Sequence, residues 1–276
     1  MPITAAKGFR KARRVADPLP SVPELQRLHD DGVFLRRGQL SLISATPNAG
    51  KSMFAEWLAA RMNVRTLYFS ADQDEWTTMT RLAACLSGDT RAVVQDVLAQ
   101  GSHKYADLMA GSHISFCFDS SPTLDDIGAE IDAYVETWDE WPELIVIDNL
   151  VNVQGAEDYE GAQFIMGELH WIARATGAHV QVLVHASENS TPNPLRPSRM
   201  KDIINKLSKL PELILTVAYD GSENIFYVAK VKSRESKADQ LAKYPFSLGC
   251  NLDKCQFYAQ PTPTYAYTNY WTEDDE

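Results

Sequence analysis

Short apolar runs alternate along the chain with longer segments whose apolar positions recur every three or four residues. The runs predict strands, and the longer segments predict amphipathic helices. The predicted strands are Leu40–Ala45, Thr66–Ala71, His113–Phe118, Leu144–Asp148, His179–His185, Leu213–Ala218, Asn224–Val231 and Gln256–Ala259. The predicted helices are Lys51–Met62, Glu75–Ser87, Thr90–Gln100, Leu124–Trp138, Gly161–Thr176 and Arg199–Lys209.

This alternation predicts an α/β fold with a mainly parallel central sheet and helices on both faces. The run Leu144-Ile-Val-Ile147 is apolar without alternation, as expected of a strand that is buried on both faces. In the segment 124–138, apolar side chains follow one helical stripe and acidic side chains lie mostly off it. The pattern therefore favours strands covered by helices above and below.

Three parts of the chain differ in composition. Residues 1–36 carry a cluster of Lys and Arg followed by three prolines, which predicts an N-terminal arm or linker with a short helical stretch near its end. Residues 37–260 hold the alternating pattern and form the predicted domain. Residues 261–276 are aromatic and then acidic, and they predict a tail.

Composition excludes several classes of protein. The 276 residues contain no apolar run of the roughly 18 residues that a membrane span requires, and the N-terminus has no apolar core of a signal peptide. The four cysteines are too scattered for a disulfide scaffold, and Cys250 and Cys255 have no second pair with which to bind zinc. We therefore expect a cytoplasmic protein, in the host cytoplasm if the gene belongs to a phage.

The net charge of −11 is unevenly distributed. Residues 105–173 hold 15 acidic residues and no Lys or Arg, and without them the rest of the chain has a formal charge of +4. The overall acidity therefore does not exclude binding to nucleic acid. It predicts a particle with separate acidic and basic faces.

The strongest motif lies between the first predicted strand and the helix that follows it. The sequence Ala45-Thr-Pro-Asn-Ala-Gly-Lys-Ser52 has the form of a phosphate-binding loop, with Ala45 where the usual pattern has Gly. In such a loop, backbone N–H groups cradle phosphate oxygens, Lys51 reaches the β- and γ-phosphates, and the Ser52 hydroxyl holds Mg²⁺. The predicted nucleotide-binding residues are Ala45, Thr46, Pro47, Asn48, Ala49, Gly50, Lys51, Ser52 and Met53.

A second part of the site is predicted at Asp148, which ends the buried run 144–147. A carboxylate at the carboxyl end of a central strand suits the Mg²⁺-binding role of a Walker B aspartate. The sequence therefore predicts an ATP and Mg²⁺ site in which Ser52 and Asp148 serve the metal.

Over about residues 25–260, the order of these motifs resembles the RecA-like ATPases, specifically the DnaB-type replicative helicase core and its phage relatives. Beyond the phosphate loop, the similarity is carried by Thr66–Asp72, Ile147–Leu150, Val182–His185 and Ala229–Arg234. The chain has no counterpart of the N-terminal helical domain of full-length replicative helicases, so it resembles a core-only relative.

The resemblance implies roles for four further residues. Asp72 would be the catalytic acid, one methylene shorter than the usual Glu, with Asp74 and Glu75 as alternatives. His185 would stand at the position of the γ-phosphate sensor, which is often Gln. Lys232 and Arg234 match a Lys-x-Arg pair that reaches the nucleotide of the neighbouring subunit. The resemblance therefore implies a homo-oligomer, either a hexameric ring or a filament.

In RecA-like rings, the loops after the Walker B strand and after the sensor strand bind single-stranded DNA. The first of these, 151–160, holds three acidic residues and no cation. The second, 186–211, is rich in cations whose spacing can follow a phosphate backbone. The candidate DNA-binding residues are therefore Arg196, Arg199, Lys201, Lys206 and Lys209.

Two functions from different classes remain open. The first is an ATP-hydrolysing helicase or translocase that acts on single-stranded DNA in replication. The second is an ATP-gated recombinase-like protein or loader, which binds DNA or a replication partner without unwinding. The acidic tail is a candidate contact for such a partner, and Phe257 and Tyr258 are candidates to flank the adenine.

Overall fold

The computed structural model describes residues 17–187, 193 and 195–260. The most basic part of the predicted arm and the acidic tail lie outside these residues. The described helices are α1 (Gln26–Asp30), α2 (Lys51–Met62), α3 (Glu75–Ser87), α4 (Arg91–Ala99), α5 (Ala106–Ala110), α6 (Leu124–Trp138) and α7 (Tyr159–Thr176). The strands are β1 (Leu40–Ala45), β2 (Thr66–Ser70), β3 (Ile114–Cys117), β4 (Leu144–Asp148), β5 (His179–His185), β6 (Leu213–Asp220), β7 (Ile225–Ser233), β8 (Phe246–Asn251) and β9 (Gln256–Ala259).

The strands form one sheet in the order β3-β2-β4-β5-β1-β6-β7-β8-β9. All neighbours from β3 to β6 pair in parallel. From β6 to β9 each strand pairs antiparallel with the next, as short hairpin connections allow. The predicted α/β class with a mainly parallel sheet is thus confirmed.

Strand β4 shows why the sheet needs cover on both faces. Leu144 and Val146 belong to the apolar cluster on one face, which also contains α2 side chains. Ile145 and Ile147 belong to the cluster on the other face, together with side chains of α6 and α7. Successive strand residues point to opposite faces, so an unbroken apolar run is required here.

The boundary between arm and domain lies earlier than predicted. Leu19, Leu28 and Val33 are buried in the same cluster as α2, so residues 17–36 pack as part of the domain. The prolines do not prevent this, since Pro23 opens a 3₁₀ turn, where a missing N–H costs nothing. The assignment of 17–36 to an arm was therefore wrong.

The predicted helix over 199–209 was also wrong. The segment forms two 3₁₀ turns, Met200–Asp202 and Ile204–Lys206, with Asn205 in the left-handed region at φ 52°. The carboxylate of Asp202 accepts from the backbone N–H and guanidinium of Arg199, which favours a turn over a continuing helix.

Two elements were not predicted, the short helix α5 and the strand β8. In β8, Gly249 lies beneath the ring of Tyr258, where an added Cβ would come within 1.9 Å of a ring atom. The glycine that weakens the strand pattern is thus required by a cross-strand contact. Among the described residues, no helix has the length and apolar character needed to cross a membrane.

Candidate nucleotide-binding site

The phosphate-loop motif joins the carboxyl end of β1 to the amino end of α2. Gly50 has φ +80°, a conformation that disfavours other residues, and an added Cβ would lie 3.4 Å from the Phe226 ring. Ala45 is fully buried as the last residue of β1, outside the turn itself. The loop therefore needs glycine at position 50 and accepts alanine at position 45.

A cleft of about 260 Å³ opens at this loop. Of the predicted residues, it is lined by Thr46, Asn48, Ala49, Gly50, Lys51, Ser52, Met53, Asp72 and His185. Four further lining residues were not predicted from the sequence: Gln73, Arg81, Arg91 and Leu252. The sheet topology explains why the predicted set meets, because β1, β2 and β5 end at the same edge of the parallel sheet.

Lys51 and Asp148 form a buried ion pair at the base of the cleft. The Lys51 Nζ lies 3.7 Å from Asp148 Oδ1, and their side chains are 6% and 1% exposed. The hydroxyl of Tyr68 donates to Asp148 Oδ2 at 2.9 Å. Among the described residues, Asp148 Oδ1 has no hydrogen-bond partner. Burial lowers the pKa of Lys51, and the charges of Asp148 and Asp72 oppose that shift.

His185 lies beside the start of the loop, paired in register with Ala45. Its Nε2 is 3.2 Å from the amide nitrogen of Asn149, whose own Oδ1 accepts from the Val151 N–H. Because the amide oxygen is engaged, the amide nitrogen faces the ring as a donor, and Nε2 of His185 accepts. Asn149 thus fixes the orientation of the ring.

The structure separates the three acidic candidates on the loop after β2. Asp72 lines the cleft, and its charge acts on Lys51. Asp74 is the N-cap of α3, accepting from the Thr77 N–H at 2.6 Å, and these bonds lower its pKa. Glu75 is exposed in the first turn of α3. Asp72 is therefore the acid that faces the cleft.

Sequence reasoning missed a polar group beneath the cleft. Arg81 donates to Gln73 Oε1, and its guanidinium lies 3.8 Å from Glu56 Oε1. Glu56 is 3% exposed on α2, and burial raises its pKa to about 8, with Arg81 opposing the shift. An acidic residue between Ala55 and Trp57, in an otherwise apolar helix, was the signal that could have revealed it.

Lys232 and Arg234 do not line this cleft. Lys232 pairs opposite Ile214, which pairs with Leu42 near the amino end of β1, whereas the phosphate loop follows the carboxyl end. Lys232 donates to the carbonyl oxygens of Ser208 and Lys209, and partial burial lowers its pKa. The Arg234 guanidinium donates to Leu210 O and Glu212 Oε1.

The five candidate DNA-binding cations are not equivalent. Arg199 forms an ion pair with the buried Asp202 at 2.9 Å. The guanidinium of Arg196 lies over the Tyr227 ring at 5.0 Å. Lys209, Lys201 and Lys206 are at least partly exposed, although the Lys209 Nζ lies 3.5 Å from the Tyr159 hydroxyl. Solvent-facing charge in this segment therefore comes mainly from the lysines.

Comparison with known proteins agrees with this geometry. Residues 10–191 match the AAA domain family. The chain is 36% identical over 238 residues to the Gene 65 protein of Mycobacterium phage L5, covering 81% of this chain and 86% of that protein. It is 32% identical over 211 residues to the Gene 65 protein of Mycobacterium phage D29, covering 72% and 89%.

Solved structures share the fold at low sequence identity. One, an ATPase domain solved by itself, has a TM-score of 0.75 at 17% identity, covering 93% of this chain and 97% of that chain. A DnaB-like replicative helicase, solved in a study of its interactions with primase, has a TM-score of 0.75 at 18% identity, covering 93% and 68%. By its sequence match and its fold, the chain belongs to the AAA domain family, as a phage-type P-loop ATPase with the RecA-like core of DnaB-type helicases.

Proposed function

We propose that this protein is an oligomeric motor that hydrolyses ATP and acts on single-stranded DNA during phage replication, in the host cytoplasm. The observation that carries the proposal is the cleft that joins a phosphate loop, a buried lysine and the acid Asp72. A loop that only turned the chain would not require a buried ammonium group next to polar residues from three strands.

The residues fit a nucleoside triphosphate with Mg²⁺. The buried Asp148 Oδ1 has no hydrogen-bond partner among the described residues, and Ser52 lines the cleft in the first turn of α2. Ser52 and Asp148 would hold Mg²⁺, which supplies charge neutralisation of the phosphates when bound. Lys51 supplies positive charge at the phosphates, and the amino end of α2 offers N–H donors.

Asp72 is proposed to orient the attacking water, and His185 to contact the γ-phosphate. Both line the cleft, and the ring of His185 is held by Asn149. An acid in this role positions water for in-line attack while the cations stabilise charge that develops on the phosphate oxygens.

Lys232 and Arg234 are proposed to complete the site of a neighbouring copy. They lie away from the cleft of their own chain, so only a second copy could bring such a pair to the nucleotide. This proposal requires a ring or filament, in which hydrolysis in one subunit depends on the next. The two side chains must then leave their contacts with the 208–212 segment.

Single-stranded DNA is the proposed polymer, with the lysines Lys201, Lys206 and Lys209, and the partly engaged Arg196 and Arg199, as its phosphate contacts. The acidic segment at 261–276, outside the described residues, is proposed to contact a replication partner. Aspartate at position 72, with a carboxylate closer to the backbone than that of Glu, favours a second candidate function. That candidate is an ATP-gated loader or recombinase-like protein that hydrolyses slowly and does not unwind.

Steady-state ATP turnover tests the site assignment. Turnover is measured with and without single-stranded DNA for the wild type, Lys51→Ala, Asp72→Ala and Asp74→Ala. Lys51→Ala and Asp72→Ala are expected to lower kcat by at least about 100-fold, the usual scale for removing a charge-stabilising or acid–base group. Asp74→Ala is the matched control, since it removes a helix cap on the same loop. Unchanged turnover in Lys51→Ala would show that this cleft is not the active site.

A forked duplex and a mixing experiment separate the motor from the loader. The motor is expected to separate the strands and to lose DNA-stimulated turnover in Arg234→Ala. Arg234→Ala subunits mixed with Asp72→Ala subunits are expected to regain part of the turnover, because some interfaces then hold one intact half from each chain. Stimulated turnover with no strand separation favours the loader, and a strict monomer under ATP removes the role of Lys232 and Arg234 between subunits.

A further inference from the structure

Two cleft residues have no part in the chemistry described so far, and they come from distant elements. Arg91 opens α4, and Leu252 lies in the turn between β8 and β9. We propose that Arg91 and Leu252 hold the nucleobase of the bound nucleoside triphosphate between them, with the guanidinium plane on one face of the base. The inference rests on the proposed nucleotide-binding function and assigns the part of the ligand that the phosphate loop does not reach.

The sheet order gives the cleft a direction. On one side of β1, the strands β5, β4 and β2 bring His185, Asp148 and Asp72 to the edge of the sheet where the cleft opens. On the other side of β1, the sheet continues through β6, β7 and β8 to the turn that holds Leu252. A triphosphate held at the central loop that directs its γ-phosphate towards the acids must extend its ribose and base the opposite way.

The chemistry at that end suits a base better than a phosphate. Leu252 is apolar and packs at the edge of the core, and it offers a surface for a flat ring. The Nε atom of Arg91 is buried and has no hydrogen-bond partner among the described residues. A guanidinium group carries only donors and stacks on aromatic faces, while a nucleobase offers both acceptor atoms and a π face.

Arg91 is anchored independently of its side chain. Its backbone N–H donates to the carbonyl of Asp253 at 2.6 Å, which ties the start of α4 to the β8–β9 turn. The candidates suggested by sequence lie elsewhere. Phe257 is 3% exposed within an aromatic cluster, and the ring of Tyr258 covers Gly249. Substitution of the Arg91 side chain therefore leaves the wall of the cleft in place.

Calorimetric titration with two ligands tests the assignment. ATP and inorganic tripolyphosphate, each with Mg²⁺, are titrated into the wild type, Arg91→Ala, Arg91→Lys and Lys51→Ala. Arg61→Ala serves as the matched control, because Arg61 lies on the last turn of α2 in an exposed pair with Glu24. Thermal unfolding of each variant confirms that it is folded.

Arg91→Ala is expected to weaken ATP binding by about tenfold and to leave tripolyphosphate binding within about twofold of the wild type. Arg91→Lys is expected to behave like Arg91→Ala, since lysine keeps the charge and loses the plane. Equal loss for both ligands, or full rescue by Arg91→Lys, would show that Arg91 contacts phosphate and would overturn the inference. No loss for either ligand would also overturn it.

The outcome for Lys51→Ala keeps the two proposals distinguishable. Lys51→Ala is expected to weaken both ligands, because it removes a phosphate contact. If Lys51→Ala weakens both and Arg91→Ala weakens neither, the cleft binds nucleotide and only the base assignment fails. If the wild type binds neither ligand, the proposed function itself fails.

Discussion

Glu56 makes the stability of this protein depend on pH in an unusual direction. The carboxyl group is 3% exposed on α2, close to the phosphate loop, and burial raises its pKa from 4.5 to about 8. Above pH 4.5 the unfolded chain releases this proton while the folded chain keeps it. Folding must then retain a proton that the unfolded state has lost, so the folded state becomes less favourable as pH rises. The substitution Glu56→Gln removes this dependence.

The magnitude follows from the shift in pKa. Each pKa unit corresponds to about 1.36 kcal/mol, so a rise from 4.5 to about 8 limits the effect to about 5 kcal/mol at high pH. At pH 7 roughly two thirds of that range has been crossed. Between pH 5 and pH 7.5 the wild type is therefore expected to lose about 3 kcal/mol of unfolding free energy relative to Glu56→Gln.

Urea unfolding followed by tryptophan fluorescence measures this difference at several pH values from 5 to 7.5. The matched control is Glu75→Gln, which removes an exposed carboxylate from the first turn of α3. Its curve of unfolding free energy against pH is expected to run parallel to that of the wild type. If the Glu56→Gln curve is also parallel to the wild type, Glu56 does not hold its proton in the folded state and the reasoning is refuted.

Three further substitutions probe the site and the core by urea unfolding at pH 7. Gly50→Ala places a Cβ at φ +80° and 3.4 Å from the Phe226 ring, and is expected to cost about 1–2 kcal/mol and to weaken ATP binding; unchanged values would contradict the left-handed turn. Tyr68→Phe removes the 2.9 Å hydrogen bond to the buried Asp148 and is expected to cost about 1–3 kcal/mol and to lower ATP turnover; full turnover would separate this bond from the site. Phe257→Ala empties an aromatic cluster at 3% exposure and is expected to cost about 3–5 kcal/mol, so a cost below about 1 kcal/mol would contradict its burial.

Much of the candidate site follows from features that lie close together in the sequence. The phosphate loop is eight consecutive residues between a strand and a helix, and both elements form where the apolar pattern predicts them. Asp148 ends an unbroken apolar strand, and Asp72 and His185 follow or end two others. Since parallel strands place their carboxyl ends at one edge, the sequence pattern alone brings these residues to one edge of the sheet.

Other contacts could not be predicted because they depend on which distant surfaces pack together. Arg81 and Glu56 lie on separate helices, and neither has a polar neighbour in sequence that indicates the pair. Arg91 meets the turn at Asp253 across 162 positions of the chain. Residues 17–36 gave only a short apolar pattern, and their burial depends on the α2 surface that receives them.

The sequence by itself determined the class of fold, the phosphate loop and the acids at the strand ends, because helical and strand periodicity and short motifs are local properties of the chain. Only the tertiary structure decided that residues 17–36 complete the core, that 199–209 turns twice instead of forming a helix, and that Arg91 and Leu252 face the nucleotide cleft. Those outcomes depend on burial and on hydrogen bonds between residues distant in sequence, which no local pattern records.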